Sequence, residues 1–168
     1  MLPKRIYIIG STGSGKTYLA RKLSLLFGIK SYDLDDIYWI KKYYKKRDEN
    51  VKQRMLERIY QKKEWIIEGV YSSWIEKAIK KCDLVIWLDL PLHIRILRIF
   101  RRYLFNKGYK ESLKDVIGIM NFSSKYKKKE GHYYKHKEII NKHKLNFVYI
   151  KNKEELNNFL KDMPFHNK

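Results

Sequence analysis

Residues 5–17 read RIYIIGSTGSGKT. Ile6 to Ile9 form a continuous apolar run ending at Gly10, the pattern of a strand buried on both faces. The next residues carry almost no core-forming side chains and stop at Lys16 and Thr17. Beyond them Leu19, Ala20, Leu23, Leu26 and Phe27 recur at helical spacing, and Gly28 stands where a C-terminal cap belongs. Gly10, Gly15, Lys16 and Thr17 fit the pattern GxxxxGK[ST], and the fit falls between a strand and a helix, where a phosphate-binding loop belongs.

Each residue type in the loop has a physical reason. Gly10, Gly13 and Gly15 remove side chains and permit backbone angles that turn successive N–H groups toward one phosphate chain. The helix beginning near Gly15 adds unsatisfied N-terminal donors and the positive end of its dipole. Lys16 brings a point charge to the oxygens between the second and third phosphates, and the Thr17 hydroxyl is a magnesium ligand. Gly10, Ser11, Thr12, Gly13, Ser14, Gly15, Lys16 and Thr17 are thus the expected triphosphate-binding segment. Triphosphate binding alone does not separate switch GTPases, motor ATPases and small-molecule kinases, so the other strand ends must discriminate.

Working outward, the chain alternates short apolar runs with longer helical stretches. Strands are expected at 29–33, at 65–69 (WIIEG), within 83–90 (LVIWL) and at 147–150; helices are expected at 51–62, 73–80, 93–104, 134–144 and 154–160. KKYYKKRDEN at 41–50 reads as an exposed basic loop; 106–134 has scattered apolar residues, and its SSKYKKKEGHYY part at 123–134 reads as a mobile or charge-rich surface stretch. Alternation of strands with helices argues for a parallel sheet covered on both faces, a three-layer α/β/α fold, with ligands beyond the carboxyl ends of the strands. No repeat or linker marks a second domain, so residues 1–168 are read as one domain with a lid or flap within about 103–134.

Composition narrows the class. The chain has 168 residues, 44% of them hydrophobic, which is enough to build a core. Cys82 is the only cysteine, which excludes an intramolecular disulfide framework and a zinc cluster. The N-terminal apolar run is too short for a signal peptide or membrane span, so a cytoplasmic location and no membrane partner are expected. Lys and Arg number 38 against 18 Asp and Glu, a formal charge of +20. Such a balance attracts polyanions, nucleic acid among them, but a general lysine-rich habit of the sequence accounts for it equally well.

Acidic residues stand at two further strand ends. In SYDLDD, Asp33 and Asp35 are two apart, and alternation points both to one side if the strand continues that far; one carboxylate would hold a magnesium-bound water and the other would meet an acceptor substrate, unless one of them only caps the next helix. Glu68 ends WIIEG directly before Gly69, and an acid on so apolar a strand needs a positive partner such as magnesium. Asp89 in VIWLD competes for that role, but Pro91 bends the chain away, which favours Glu68. Arg98 and Arg102 share a helix face with each other and with Arg95, where they would neutralise a transferring phosphoryl group or form a solvated basic face. His132 and His136 find no third ligand at metal-site spacing.

The order of these motifs, from the loop through DLDDIYW, a basic RD segment, WIIEGVYS and VIWLDLP to Arg98 and Arg102, resembles the adenylate kinase-like P-loop kinases. Within them the chain is most similar to the DNA topology modulation protein FlaR-related family, clearly over residues 4–104. The resemblance implies a five-stranded sheet in the order 2-3-1-4-5 and transfer of a phosphoryl group from ATP with Mg2+. It maps the acid-glycine pair of nucleoside monophosphate kinases onto Glu68-Gly69, their lid arginines onto Arg98 and Arg102, and the Asp-x-Asp pair of shikimate kinases onto Asp33 and Asp35. It also places Asn152 beside the adenine. The arginine that follows the acid-glycine pair in monophosphate kinases is replaced here by Tyr71, so the acceptor is expected to meet Asp35, Tyr71 and Arg47. The expected activity is a kinase acting on a nucleotide, nucleoside or other metabolite. A nucleic-acid-associated regulator that binds ATP is the alternative.

Overall fold

The structure, a computed structural model, describes residues 3–105 and 112–163. Five parallel strands, β1 (Arg5–Gly10), β2 (Ser31–Asp33), β5 (Trp65–Gly69), β6 (Leu84–Leu88) and β7 (Phe147–Ile150), form one sheet in the order β2-β5-β1-β6-β7. Counted over these strands alone the order is the expected 2-3-1-4-5. The labels differ because a two-stranded antiparallel ribbon, β3 (Trp39–Lys41) with β4 (Lys45–Lys46), intervenes in the chain.

Both side-chain parities of the central strands are buried, which is why they read as continuous apolar runs rather than alternating ones. Ile6, Ile8, Ile66, Ile86 and Leu88 face α1 (Lys16–Phe27) and α8 (Lys153–Asp162), packing with Leu19, Leu23 and Leu160. Tyr7, Ile9, Ile67, Val85 and Trp87 form the opposite core with residues of α2 (Leu34–Tyr38), α3 (Glu49–Tyr60), α4 (Glu76–Ile79) and α7 (His132–His143). Each fully buried aliphatic side chain contributes on the order of 1.5–3 kcal/mol. The result is three layers, α/β/α, with α5 (Leu92–Phe105) and α6 (Leu113–Ser124) joined by a small cluster of Ile99, Val116 and Ile119.

Four expectations change. The basic segment 41–50 is a ribbon and a helix start rather than a loop, because Tyr43 takes a left-handed conformation at the turn and Asp48 caps α3 through Asn50 N at 2.9 Å. On α1 Leu26 leaves the helical stripe and is exposed, whereas Phe27 stays half-buried against the core. Most of 112–134 is ordered helix: Ser112 and Asp115 form a capping box at the start of α6, and Ser123 and Tyr126 are buried. The turn into α7 is so tight that a Cβ on Gly131 would lie 2.2 Å from the Tyr126 carbonyl oxygen. Residues 106–111, which belong to the expected lid, lie outside the described residues. Finally, β2 ends at Asp33, so Asp33 and Asp35 do not alternate along one strand.

Among the described residues no helix is long and apolar enough to cross a membrane. The parallel register brings Ile9 opposite Gly69, Gly10 opposite Leu88 and Asp33 opposite Glu68. The phosphate loop, both acidic strand ends and the start of the β6–α5 connection therefore share one edge of the sheet.

Candidate active site

The loop between β1 and α1 closes on itself through Ser14 N donating to Ser11 O at 3.2 Å, and Lys16 Nζ reaches back to the same carbonyl at 3.1 Å. No side chain caps the start of α1, so its first N–H groups remain available to an anion. Gly13 has a φ of +80°, and a Cβ there would lie 2.6 Å from the Arg95 carbonyl oxygen. Helix α5 therefore packs directly against the loop. Arg98 adds a second tie, with Nη1 donating to Ser14 O at 2.9 Å. Arg102, one turn further along α5, is half-buried, whereas Arg101 is exposed.

The acids occupy the adjoining strand ends. Glu68 is only 3% exposed, and it accepts a hydrogen bond from Thr17 Oγ1 at 2.5 Å. Burial pushes the Glu68 carboxyl up, against the opposing pull of Lys16 and Thr17. Asp33, its register partner on β2, is pushed up to about 7 by burial, then by the neighbouring charges of Glu68 and Asp35. Asp33 also caps α2 by accepting from Asp35 N at 2.8 Å, so the capping alternative describes this residue. Asp89 sits elsewhere: its carboxylate meets Lys127 Nζ at 2.6 Å and the Tyr149 hydroxyl, and Thr17 is bonded to Glu68 instead.

These groups suit a magnesium ion bound together with a nucleotide. Among the described residues no three His, Cys, Asp or Glu side chains form a metal cage. Mg2+ seldom uses one, since it keeps waters and takes one or two carboxylates with substrate phosphate oxygens. Buried acids crowded beside a threonine hydroxyl at the phosphate loop are such a donor set, and a bound cation would offset the burial and the neighbouring charges that raise Asp33 and Glu68.

The expected acceptor residues separate into two groups. Asp35 accepts from the Tyr71 hydroxyl at 2.8 Å and pairs with Lys42 at 3.1 Å. Burial raises the Tyr71 phenol well above its ordinary range, so it acts as a donor. Tyr71 stacks on Tyr38 with ring centroids 4.7 Å apart and lies 5.4 Å from Trp74. Lys52, which the sequence reading passed over, is 5% exposed, pairs with Glu49 at 2.7 Å and lies 4.5 Å from the Tyr38 ring centroid. Arg47 is placed differently from expectation. Its guanidinium donates to Ile37 O at 3.0 Å, Trp39 O at 3.3 Å and Asp36 O at 3.4 Å, closing the carbonyl end of α2. Asn152 caps α8 by accepting from Glu155 N at 2.9 Å.

Behind the site runs a polar chain absent from the sequence reading. The Trp87 indole donates to the Tyr126 hydroxyl at 3.0 Å, that hydroxyl meets His136 Nδ1 at 3.1 Å, and His136 Nε2 meets Tyr71 O at 3.0 Å. Burial pushes His136 down to about 4, so it is neutral at physiological pH. The sequence offered no third metal ligand beside His132 and His136 and no other role for them, because the partners of His136, Tyr71 and Tyr126, carry no signal of their own.

No family model matches the chain. It is 32% identical over 107 residues to the uncharacterized protein YqaC of Bacillus subtilis (strain 168), covering 61% of this chain and 60% of that one. It is 29% identical over 119 residues to a cytidylate kinase of Pyrococcus furiosus, covering 60% of each. The chain thus spans about 60% of the length of the curated relatives it matches. In structure it is similar to the shikimate kinase of Acinetobacter baumannii, solved in complex with shikimate, with a TM-score of 0.59, 16% identity, and coverage of 96% of this chain and 90% of that one. With the sheet order and the loop geometry, that likeness establishes the fold of this chain as the P-loop α/β/α fold.

Proposed function

We propose that the protein is a magnesium-dependent kinase that transfers the γ-phosphoryl group of ATP to a small-molecule acceptor. One observation carries the reading: the Thr17–Glu68 pair beside the phosphate loop and the Asp35–Tyr71 pair at the neighbouring strand end share one sheet edge. The first suits a metal-bound triphosphate and the second suits a hydroxyl-bearing acceptor.

In this mechanism the loop N–H groups from Gly10 to Gly15 bind the phosphate chain, and Lys16 leaves the Ser11 carbonyl to meet the outer phosphates. Thr17, Glu68 and Asp33 would hold magnesium, which would supply neutralisation of phosphate charge. Asp35, oriented by Tyr71, accepts the proton of the attacking acceptor group. The acceptor oxygen bonds to the γ-phosphorus as the bond to the bridging oxygen breaks, and ADP departs with the charge released. Arg98, moving from the Ser14 carbonyl, and Arg102 stabilise the transferring group. Asn152 borders the adenine side.

The cytidylate kinase relative and the shikimate kinase fold support a small acceptor, and the motif order supports the narrower kinship with the FlaR-related family. Under this reading residues 1–168 act as one cytoplasmic kinase domain whose lid lies within 103–134. Incubation of the purified protein with ATP, Mg2+ and a panel of nucleotides, nucleosides and metabolites, read by mass spectrometry, tests it. A phosphorylated product lost in Lys16→Ala is expected; absence of any product across the panel refutes it.

A second reading, ATP-regulated binding to nucleic acid, draws on the β3–β4 ribbon, where Lys45 and Lys46 are exposed and Lys41 Nζ lies 5.1 Å from the ring centroid of exposed Tyr44. A salt titration with single-stranded DNA, with and without ATP, separates it from nonspecific attraction. Only ATP-dependent affinity supports it.

A further inference from the structure

Arg95 is 3% exposed and, among the described residues, has no carboxylate at ion-pair distance. Its Nη1 donates to the Ser11 hydroxyl, to Ser123 Oγ at 2.9 Å and to Ser123 O at 2.8 Å. Its guanidinium lies 5.6 Å from the Tyr126 ring centroid, and its Nε is buried without a hydrogen-bond partner. Asp89, the acid that acts on it through space, is already occupied by Lys127 and Tyr149. A buried cation left with an unused donor and only neutral contacts lowers the stability of the fold unless an anion compensates it.

The position of this cation identifies the anion. Ser11 is the second residue of the phosphate loop, Ser123 Oγ also donates to the carbonyl of Thr12 at 3.1 Å, and the Arg95 backbone lies against Gly13. Three consecutive loop residues are therefore seated on Arg95 and its partner Ser123. Removing the guanidinium would orphan little: the two serine hydroxyls are 3.2 Å apart and can bond to each other, and Ser123 O still accepts from Tyr126 N at 3.3 Å. The guanidinium contributes charge and aim to the loop more than hydrogen bonds to the fold.

We infer that Arg95 is a positioning residue for the polyphosphate, a further cation of the phosphate site that acts through Ser11 and is present at the expense of stability without ligand. The inference rests on the phosphate-loop reading above but not on the identity of the acceptor. It distinguishes Arg95 from Arg98 and Arg102, which are proposed to face the transferring group itself.

The test uses the full chain with Arg95→Met, Arg95→Lys and Ser123→Ala, read by thermal melting without ligand and by calorimetric titration with Mg·ATP and with pyrophosphate. Arg95→Met should melt no lower than the parent protein yet bind both ligands at least tenfold more weakly. Arg95→Lys, which keeps the charge, should recover affinity to within about threefold of the parent, and Ser123→Ala should weaken binding by about twofold to fivefold, through the loss of aim alone. An Arg95→Met protein that fails to fold, or melts well below the parent, makes Arg95 a support of the fold and overturns the inference; so does unchanged ligand affinity. A parent protein that binds neither ligand refutes the phosphate-site reading itself, a result distinct from a parent that binds and a variant that binds equally.

Discussion

Asp33→Asn should stabilise the ligand-free protein at alkaline pH. Asparagine caps a helix about as well as aspartate, so the bond to Asp35 N survives and only the charge is removed. The Asp33 carboxyl is displaced from about 3.9 in an unfolded chain to about 7 in the fold, by burial and by the nearby charges of Glu68 and Asp35. A raised carboxyl pKa means that the folded state holds its proton more tightly than the unfolded state. Stability is therefore greatest at low pH and falls as pH rises from about 4 to about 7. At about 1.4 kcal/mol per pH unit the full penalty above that window is about 4 kcal/mol, and sharing of the proton with Glu68 reduces the gain on substitution to about 2–4 kcal/mol. For a chain of this size that is an increase in melting temperature of roughly 4–16 °C. Melting curves of the parent and Asp33→Asn at pH 5 and pH 8.5 should show a wide gap at the higher pH and a small one at the lower. Equal gaps at both, or a variant that melts lower at pH 8.5, would show that burial and the neighbouring acids do not penalise the Asp33 carboxylate.

Further outcomes follow from single contacts. Gly13→Ala places a Cβ 2.6 Å from the Arg95 carbonyl at a φ of +80°, which should cost about 1–3 kcal/mol of stability and abolish ATP binding by calorimetry. Tyr71→Phe removes the donor to Asp35 and should raise the acceptor KM by up to about tenfold, while leaving ATP affinity unchanged. Arg47→Ala frees three carbonyls at the end of α2; it should lower stability by about 1–3 kcal/mol in denaturant titrations without selectively changing the acceptor KM.

Much of the fold could be read from local pattern. WIIEG and LVIWL are strands where they are expected, because strands buried on both faces are uninterrupted apolar runs and need no partner to be recognised. The β3–β4 ribbon was hidden because its strands, WIK and KK, are too short for alternation to mark a face. Helix α6 was hidden because half of its apolar side chains, Leu113, Ile117 and Phe122 among them, are exposed and blur the stripe. At the site, the loop and Glu68 were visible because each is a local oddity: an empty run of glycines, and an acid on an apolar strand. Arg95 was visible only as one arginine among four on a helix. Its meaning depends on Ser11 and Ser123, which lie 84 and 28 residues away, and serines carry no signal of their own. Arg47 shows the converse: a cation beside the acceptor region invites a substrate role, and the carbonyls at the end of a short helix, which receive its guanidinium, left no signal in the sequence.

The central claim is that one sheet edge carries both a triphosphate donor site and an acceptor site, and transfer of γ-labelled phosphate tests it most directly. With ATP labelled at the γ-position, Mg2+ and the acceptor panel, the label should appear in an organic product. Transfer should fall by at least about a hundredfold in Lys16→Ala and in Asp35→Asn, the losses that follow from removing transition-state charge stabilisation and a positioned base. Label found only in inorganic phosphate, or transfer that persists at parental rates in both variants, would contradict the account.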